Sequence, residues 1–195
     1  MARPRKDAEG PSAVERMEAS FWEALAEKPY DQITVGEIAR RAGLNRNAVY
    51  YHFDNLDALA AYAVGRMPAA ELPGVFMGAL RQGGVPFAAA SAVEEVDSRL
   101  DKVLLLVGPH GSAQLVRMFH ATFKRAWGEE LGIDLSRASQ EVGLAMEFIL
   151  GGVTSLLTFQ ATHPRERVVD GFLRTDFAQV VFRSALALVE GGRRA

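Results

Sequence analysis

Apolar residues recur three and four positions apart almost from one end of this chain to the other. That spacing is the period of a helix with one buried face, and no convincing strand interrupts it, so the fold class is all-α. Helix starts and stops are written beside the periodic stretches. Ser12 with Glu15 makes a capping box. The helix it opens puts Val14, Met17, Phe21, Ala24 and Leu25 on one face and stops ahead of Pro29, which cannot continue it. Thr34 with Glu37 makes a second box. Its short helix buries Val35, Ile38, Ala39 and Ala42 and ends at Gly43. Asn45 caps a third helix, from about 46 to 53, with Leu44 set to staple against Val49. A fourth runs from about 55 to 67, with Leu56, Leu59, Ala60 and Ala63 facing inward.

Further along, Pro68, Pro73, Pro86 and several glycines leave room for one short helix near 74–82. Longer helices are expected at 88–107, 112–128, 136–162 and 170–190. The last two carry the stripes Val142, Met146, Ile149, Val153, Leu156, Leu157 and Phe177, Val180, Val181, Ser184, Leu188. The segment 142–159 is apolar nearly all round and needs cover on more than one side. Glu147, Gly151 and Gly152 interrupt it, which argues against a membrane span.

With 195 residues the chain is long enough to bury a core without staples, and it has no cysteine, hence no disulfide framework or thiolate metal site. The N-terminus lacks the apolar stretch of a signal peptide, so a cytoplasmic protein is expected. The net charge of −2 gives no global basic field, so any nucleic-acid footprint must be local. His110 and His120 stand ten apart with no partner at metal-ligand spacing. No nucleophile, base and orienter suggest themselves, so no enzyme, metal or cofactor is expected.

The feature that carries function is "TVGEIARRAGLNRNAVYYHF", residues 34–53. Two short capped helices flank a glycine turn, the shape of a helix-turn-helix. At about 100° per residue, Val49 and Phe53 of the second helix fall together, toward the core, and Ala48 and His52 flank them. Arg46, Asn47, Tyr50 and Tyr51 occupy the remaining arc. Arg forks onto guanine and Asn onto adenine, while a tyrosine hydroxyl reaches a phosphate oxygen.

Residues 12–67 resemble the N-terminal domain of the TetR family of bacterial transcriptional regulators. The matching positions are Thr34, Ile38, Ala39, Ala42, Gly43, Tyr50, His52, Phe53 and Leu59, with similar residues at Leu44 and Val49. The resemblance implies a three-helix DNA-binding domain at 12–54 behind a flexible basic arm at 1–11. It also implies a larger effector-binding and dimerisation domain at 55–195. The implied DNA contacts are Thr34, Asn45, Arg46, Asn47, Tyr50, Tyr51 and His52, with Arg46 and Asn47 as base readers. The implied partners are a palindromic double-stranded DNA operator, a second copy held through helices 136–162 and 170–190, and a small-molecule effector. Phe119, His120, Phe123, Trp127 and Met146 are pocket candidates, though an apolar pocket and an apolar core look alike in sequence.

Three departures stand out. Leu56 replaces the family's usual lysine, Ala48 replaces a hydroxyl residue, and Gly36 leaves a commonly contacting position without a side chain. Asp54 and Asp57 add repulsion. Fewer phosphate contacts mean weaker, less salt-dependent binding, unless Arg3, Arg5 and Lys6 compensate from the arm. Two functions are therefore compatible with the sequence: a ligand-responsive repressor, and a helical binding module with weakened DNA affinity.

Overall fold

Ser12 caps the first helix as its sequence dictates. Its hydroxyl accepts from Glu15 N at 3.2 Å while Glu15 Oε2 accepts from Ser12 N at 2.7 Å. A computed structural model describes residues 10–67, 100–135, 137–166, 168–173 and 175–192, and every regular element among them is helical. The helices are α1 (Ala13–Glu27), α2 (Val35–Arg41), α3 (Arg46–His52), α4 (Leu56–Gly65), α5 (Ala113–Leu131), α6 (Gln140–Thr162), α7 (Val168–Leu173) and α8 (Asp176–Gly192). A 3₁₀ turn, Tyr30–Gln32, follows α1, and residues 100–107 are also helical. Most of the expected arm, the helix near 74–82 and the first part of the one at 88–107 lie outside the described residues.

Contacts divide the chain into two units, with the boundary between Ala63 and Val64 inside α4. In the first, α1 packs on α2 and α2 on α3. Most of the expected inward residues are buried, but Val14, Val35 and Leu56 are only partly so, and Trp22, Tyr30 and Ile33 join the core. Met17, Phe21, Leu25, Ile38 and Leu59 are fully buried, with Ala39, Val49, Ala60 and Ala63 beside them. Each large apolar side chain there is worth roughly 1.5–3 kcal/mol of burial. Gly43 ends α2 at φ +66°, in the left-handed region, and Arg16 of α1 donates to Ala42 O at 2.9 Å, holding the turn closed. Half of the second box forms. Thr34 Oγ1 accepts from Glu37 N at 3.2 Å, but the Glu37 carboxylate turns to Lys28 and Arg41 instead. Two cations outcompete one backbone N–H for that carboxylate.

In the second unit α6 packs on α7 and α8. Ser112 caps α5, which runs on past the expected 128 to Leu131 and stops at Gly132, φ +62°. Two expectations are corrected. The helix expected from 136 begins at Gln140, because Ser139 supplies the cap, accepting from Val142 N at 3.3 Å, after a turn in which Arg137 N donates to Asp134 O. The helix expected over 170–190 is two, α7 and α8. Thr175 divides them: its hydroxyl donates to Phe172 O at 2.7 Å and accepts from Ala178 N at 3.2 Å, ending one helix and capping the next.

By length and composition α6 is apolar enough to cross a membrane, with a mean hydropathy of 1.7 over its most apolar window, of which only 22% is buried. Val142, Met146, Leu150 and Leu157 face inward. A different face, with Leu144, Phe148 and Phe159, lies open, as do Phe177 and Val180 of α8.

Candidate nucleic-acid interface

α3 forms where it does because Asn45 Oδ1 accepts from Ala48 N at 2.8 Å, and it stops at Phe53, whose extended backbone leads into α4. The next cap repeats the device, with Asn55 Oδ1 accepting from Ala58 N at 2.9 Å. Between these caps the aromatic run is split by the helix. Val49 (1% exposed) and Phe53 are buried, whereas Tyr50 is 52% and Tyr51 84% exposed. Arg46, Asn47 and His52 are exposed too. Phe53 packs on Tyr62 of α4 with ring centroids 5.3 Å apart, and Tyr51 meets His52 edge-on at 5.0 Å. Burial alone thus anchors one edge of α3 and leaves the other as a surface of one cation, one amide, two phenols and an imidazole.

Each capping residue keeps hydrogen-bonding capacity for something else. Thr34 uses an oxygen lone pair on Glu37 N, so its hydroxyl hydrogen remains a donor. Asn45 uses its carbonyl, so its amide hydrogens remain donors. Both are exposed and stand at the starts of α2 and α3. With Arg46, Asn47, Tyr50, Tyr51 and His52 they make up the seven residues expected to touch DNA, and all seven have solvent-facing surface within the first unit.

The charges of α2 sort themselves by partner. Arg41 donates to Glu37 at 3.0 Å and to Glu27 at 2.9 Å. The bond to Glu27, then that to Glu37, pushes the Arg41 pKa above the ordinary value, and the bond from Lys28 holds the Glu37 carboxyl below its own. Arg41 therefore belongs to a network tying α1 to α2. Arg40, its neighbour on α2, is exposed. Asp57, one of the acids near α3, accepts from the buried Tyr30 hydroxyl at 2.5 Å.

The pocket candidates of the second unit sit elsewhere. Phe119, Phe123 and Trp127 form a ladder along α5, with centroids 5.6 and 5.9 Å apart, and Phe119, Phe123 and Met146 are buried. His120 Nε2 lies 2.7 Å from Thr154 Oγ1 of α6. None of the five candidates lines either of two cavities found among the described residues. One, of about 390 Å³, is bordered by Asp101, Leu104, His110, Gln160 and Pro164. The other, of about 620 Å³, is bordered by Lys124, Arg125, Glu129, Ile133 and Leu135. Sequence reasoning missed both, because each joins a helix face to turn residues distant in the chain or beyond the helix end, and periodicity reports only the helix.

Residues 22–63 match the family model of bacterial regulatory proteins, tetR family. No curated protein matches the chain. Among solved structures, the fatty acid degradation regulator FadR from Bacillus halodurans aligns at 17% identity and a TM-score of 0.43, covering 93% of this chain and 97% of that one. NalD, the secondary repressor of the MexAB-OprM multidrug efflux pump in Pseudomonas aeruginosa, aligns at 20% identity and a TM-score of 0.46, covering 93% and 95%. Residues 22–63 run from within α1 to within α4, so the likeness to bacterial regulatory proteins of the tetR family falls on the helices whose geometry has just been described.

Proposed function

We propose that this protein is an effector-responsive transcriptional repressor that binds a palindromic operator as a homodimer in the cytoplasm. The observation that carries the reading is the division of α3: Val49 and Phe53 buried, Arg46, Asn47, Tyr50 and Tyr51 outward on a capped helix of a size that enters a major groove. Thr34, Asn45 and His52 border that surface and supply donors for phosphate oxygens.

The second copy is expected on α6 and α8. Leu144 and Phe148 of α6 and Phe177 and Val180 of α8 are each more than 60% exposed. Gly151, Gly152 and Ser155 on α6, and Ser184 and Ala187 on α8, are small and exposed, which lets helices approach closely. Two such helices from each protomer make a four-helix interface, and its two-fold axis fits half-sites roughly 34–36 Å apart. An effector in the second unit would act by favouring a head spacing that no longer fits both half-sites. The chain carries no enzymatic role in this scheme.

Selection of bound duplexes from a random pool tests the reading. A recovered palindrome supports it. Failure to enrich any sequence, with no salt-dependent binding to bulk DNA, favours the second reading, a binding module. That reading draws on Leu56 and Ala48, which replace a lysine and a hydroxyl residue usual in the family, and on the acidic neighbours Asp54 and Asp57.

A further inference from the structure

Gly36 is the second residue of α2, yet it is not among the glycines with positive φ. Nothing in its backbone calls for glycine, and glycine is the poorest helix former after proline. What it provides is space. A Cβ at this position would stand 2.6 Å from Nε and 2.8 Å from Cζ of Arg46, distances that no real contact tolerates. The guanidinium of Arg46, the first residue of α3, thus lies across the first turn of α2. No carboxylate among the described residues pairs with it, in contrast to Arg41.

We infer that Gly36 is a positioning residue for Arg46: the missing side chain seats the guanidinium on the helix that crosses the DNA backbone, making Arg46 a phosphate contact and leaving base reading to Asn47 and its neighbours on α3. This rests on the DNA-binding reading above. In a helix-turn-helix the first helix spans the backbone while the second enters the groove, so a guanidinium held on α2 meets phosphates first. A seated planar fork also loses less rotamer freedom on binding than one waving from the helix end. Gly36 then offsets part of what the absent lysine at Leu56 takes away.

Fluorescence anisotropy of the full chain over a potassium chloride series tests this with two 30-bp duplexes, one recovered by wild-type selection and one scrambled. Gly36→Ala and Arg46→Ala each weaken binding to both duplexes by a similar factor, about tenfold. Each also makes the salt slope shallower by about one per head. The double variant is within about twofold of Arg46→Ala alone, since both changes remove one contact. Gly36→Ala keeps or raises the thermal midpoint, because only the flexible end of Arg46 must move aside. Wild-type affinity and slope in Gly36→Ala would overturn the assignment. So would losses that multiply in the double variant, or relaxed preference at one base pair with unchanged slope in Arg46→Ala. A wild-type chain that binds neither duplex in a salt-dependent way rejects the DNA-binding reading itself.

Discussion

Tyr30 donates its hydroxyl to Asp57 Oδ1 at 2.5 Å, joining the 3₁₀ turn after α1 to the first turn of α4 across 27 residues of chain. Burial, and then this bond, push the Tyr30 pKa above its ordinary value, so the phenol stays a donor throughout the physiological range. The Tyr30 ring packs edge-on against Phe21 with centroids 6.3 Å apart. α4 carries the chain out of the first unit, and its start is held both by the Asn55 cap and by this contact on an aromatic base.

Tyr30→Phe removes that contact and keeps the ring. It is expected to destabilise the first unit by about 1–2 kcal/mol, the worth of a part-buried hydrogen bond to a charged group. Asp57→Ala costs a similar amount, and the double variant costs little more than either, because the residues share one bond. Urea unfolding of the three variants measures this; fully additive losses would mean that the two side chains act independently.

The split of α3 predicts that stability and DNA binding separate by residue. Tyr51→Ala removes a ring that is 84% exposed, so its unfolding free energy stays within about 0.5 kcal/mol of wild type. Its affinity for the selected operator drops. Phe53→Ala empties a buried site beside Tyr62 and costs about 3–5 kcal/mol. Paired unfolding and anisotropy measurements on both variants check the separation.

His120 supplies a pH test of the second unit. Burial, then the nearby Lys124 charge, lower its pKa below the ordinary 6.5, against a smaller opposite pull from Glu147. Below 6.5 the unfolded chain therefore binds a proton that the folded chain refuses, and stability falls as pH drops from about 6.5 toward the folded value. Above 6.5 this contribution is flat. Glu147, held low mainly by its bond from Lys124, loses its contribution only below its ordinary 4.5, so the two effects occupy different windows. Unfolding titrations between pH 7.5 and 5 on wild type and His120→Gln measure the difference. An equal pH slope in both would show that another group carries it.

How much of this was written in the sequence depends on range. The helix-turn-helix was legible because its signals are local: Ser12, Thr34 and Asn45 cap within three residues, and Gly43 ends α2 by its own backbone. The burial of Val49 and Phe53 against the exposure of Tyr50 and Tyr51 followed from a wheel for the same reason. What escaped was either ambiguous or distant. The start expected near 136 moved to Gln140, because periodicity alone does not say that Ser139 supplies the cap. Thr175 reads as an ordinary helix residue until its hydroxyl is seen bridging Phe172 and Ala178. The seat of Arg46 on Gly36 and the bond from Tyr30 to Asp57 join residues 10 and 27 apart, and no periodicity reports them. The open face of α6 was hidden because a helix apolar all round has no wheel solution.

That open face gives the sharpest test of assembly. Phe148 is 70% exposed on α6, and a phenyl ring left in water on a helix with Leu144 and Phe159 on the same side forgoes a large burial energy. If a second copy covers it, two-fold symmetry counts each substitution twice, so Phe148→Glu removes roughly 3–6 kcal/mol of burial and adds two desolvated charges. The wild-type chain is then a dimer in analytical ultracentrifugation and Phe148→Glu a monomer. Its helical content is unchanged, because the side chain contributes little to its own unit. Operator affinity falls by about 10²–10⁴, the benefit of tying two heads together, while binding to a single half-site is kept. A wild-type monomer, or a Phe148→Glu dimer with full operator affinity, would move the interface away from α6 and leave the exposed stripe without a partner of this kind.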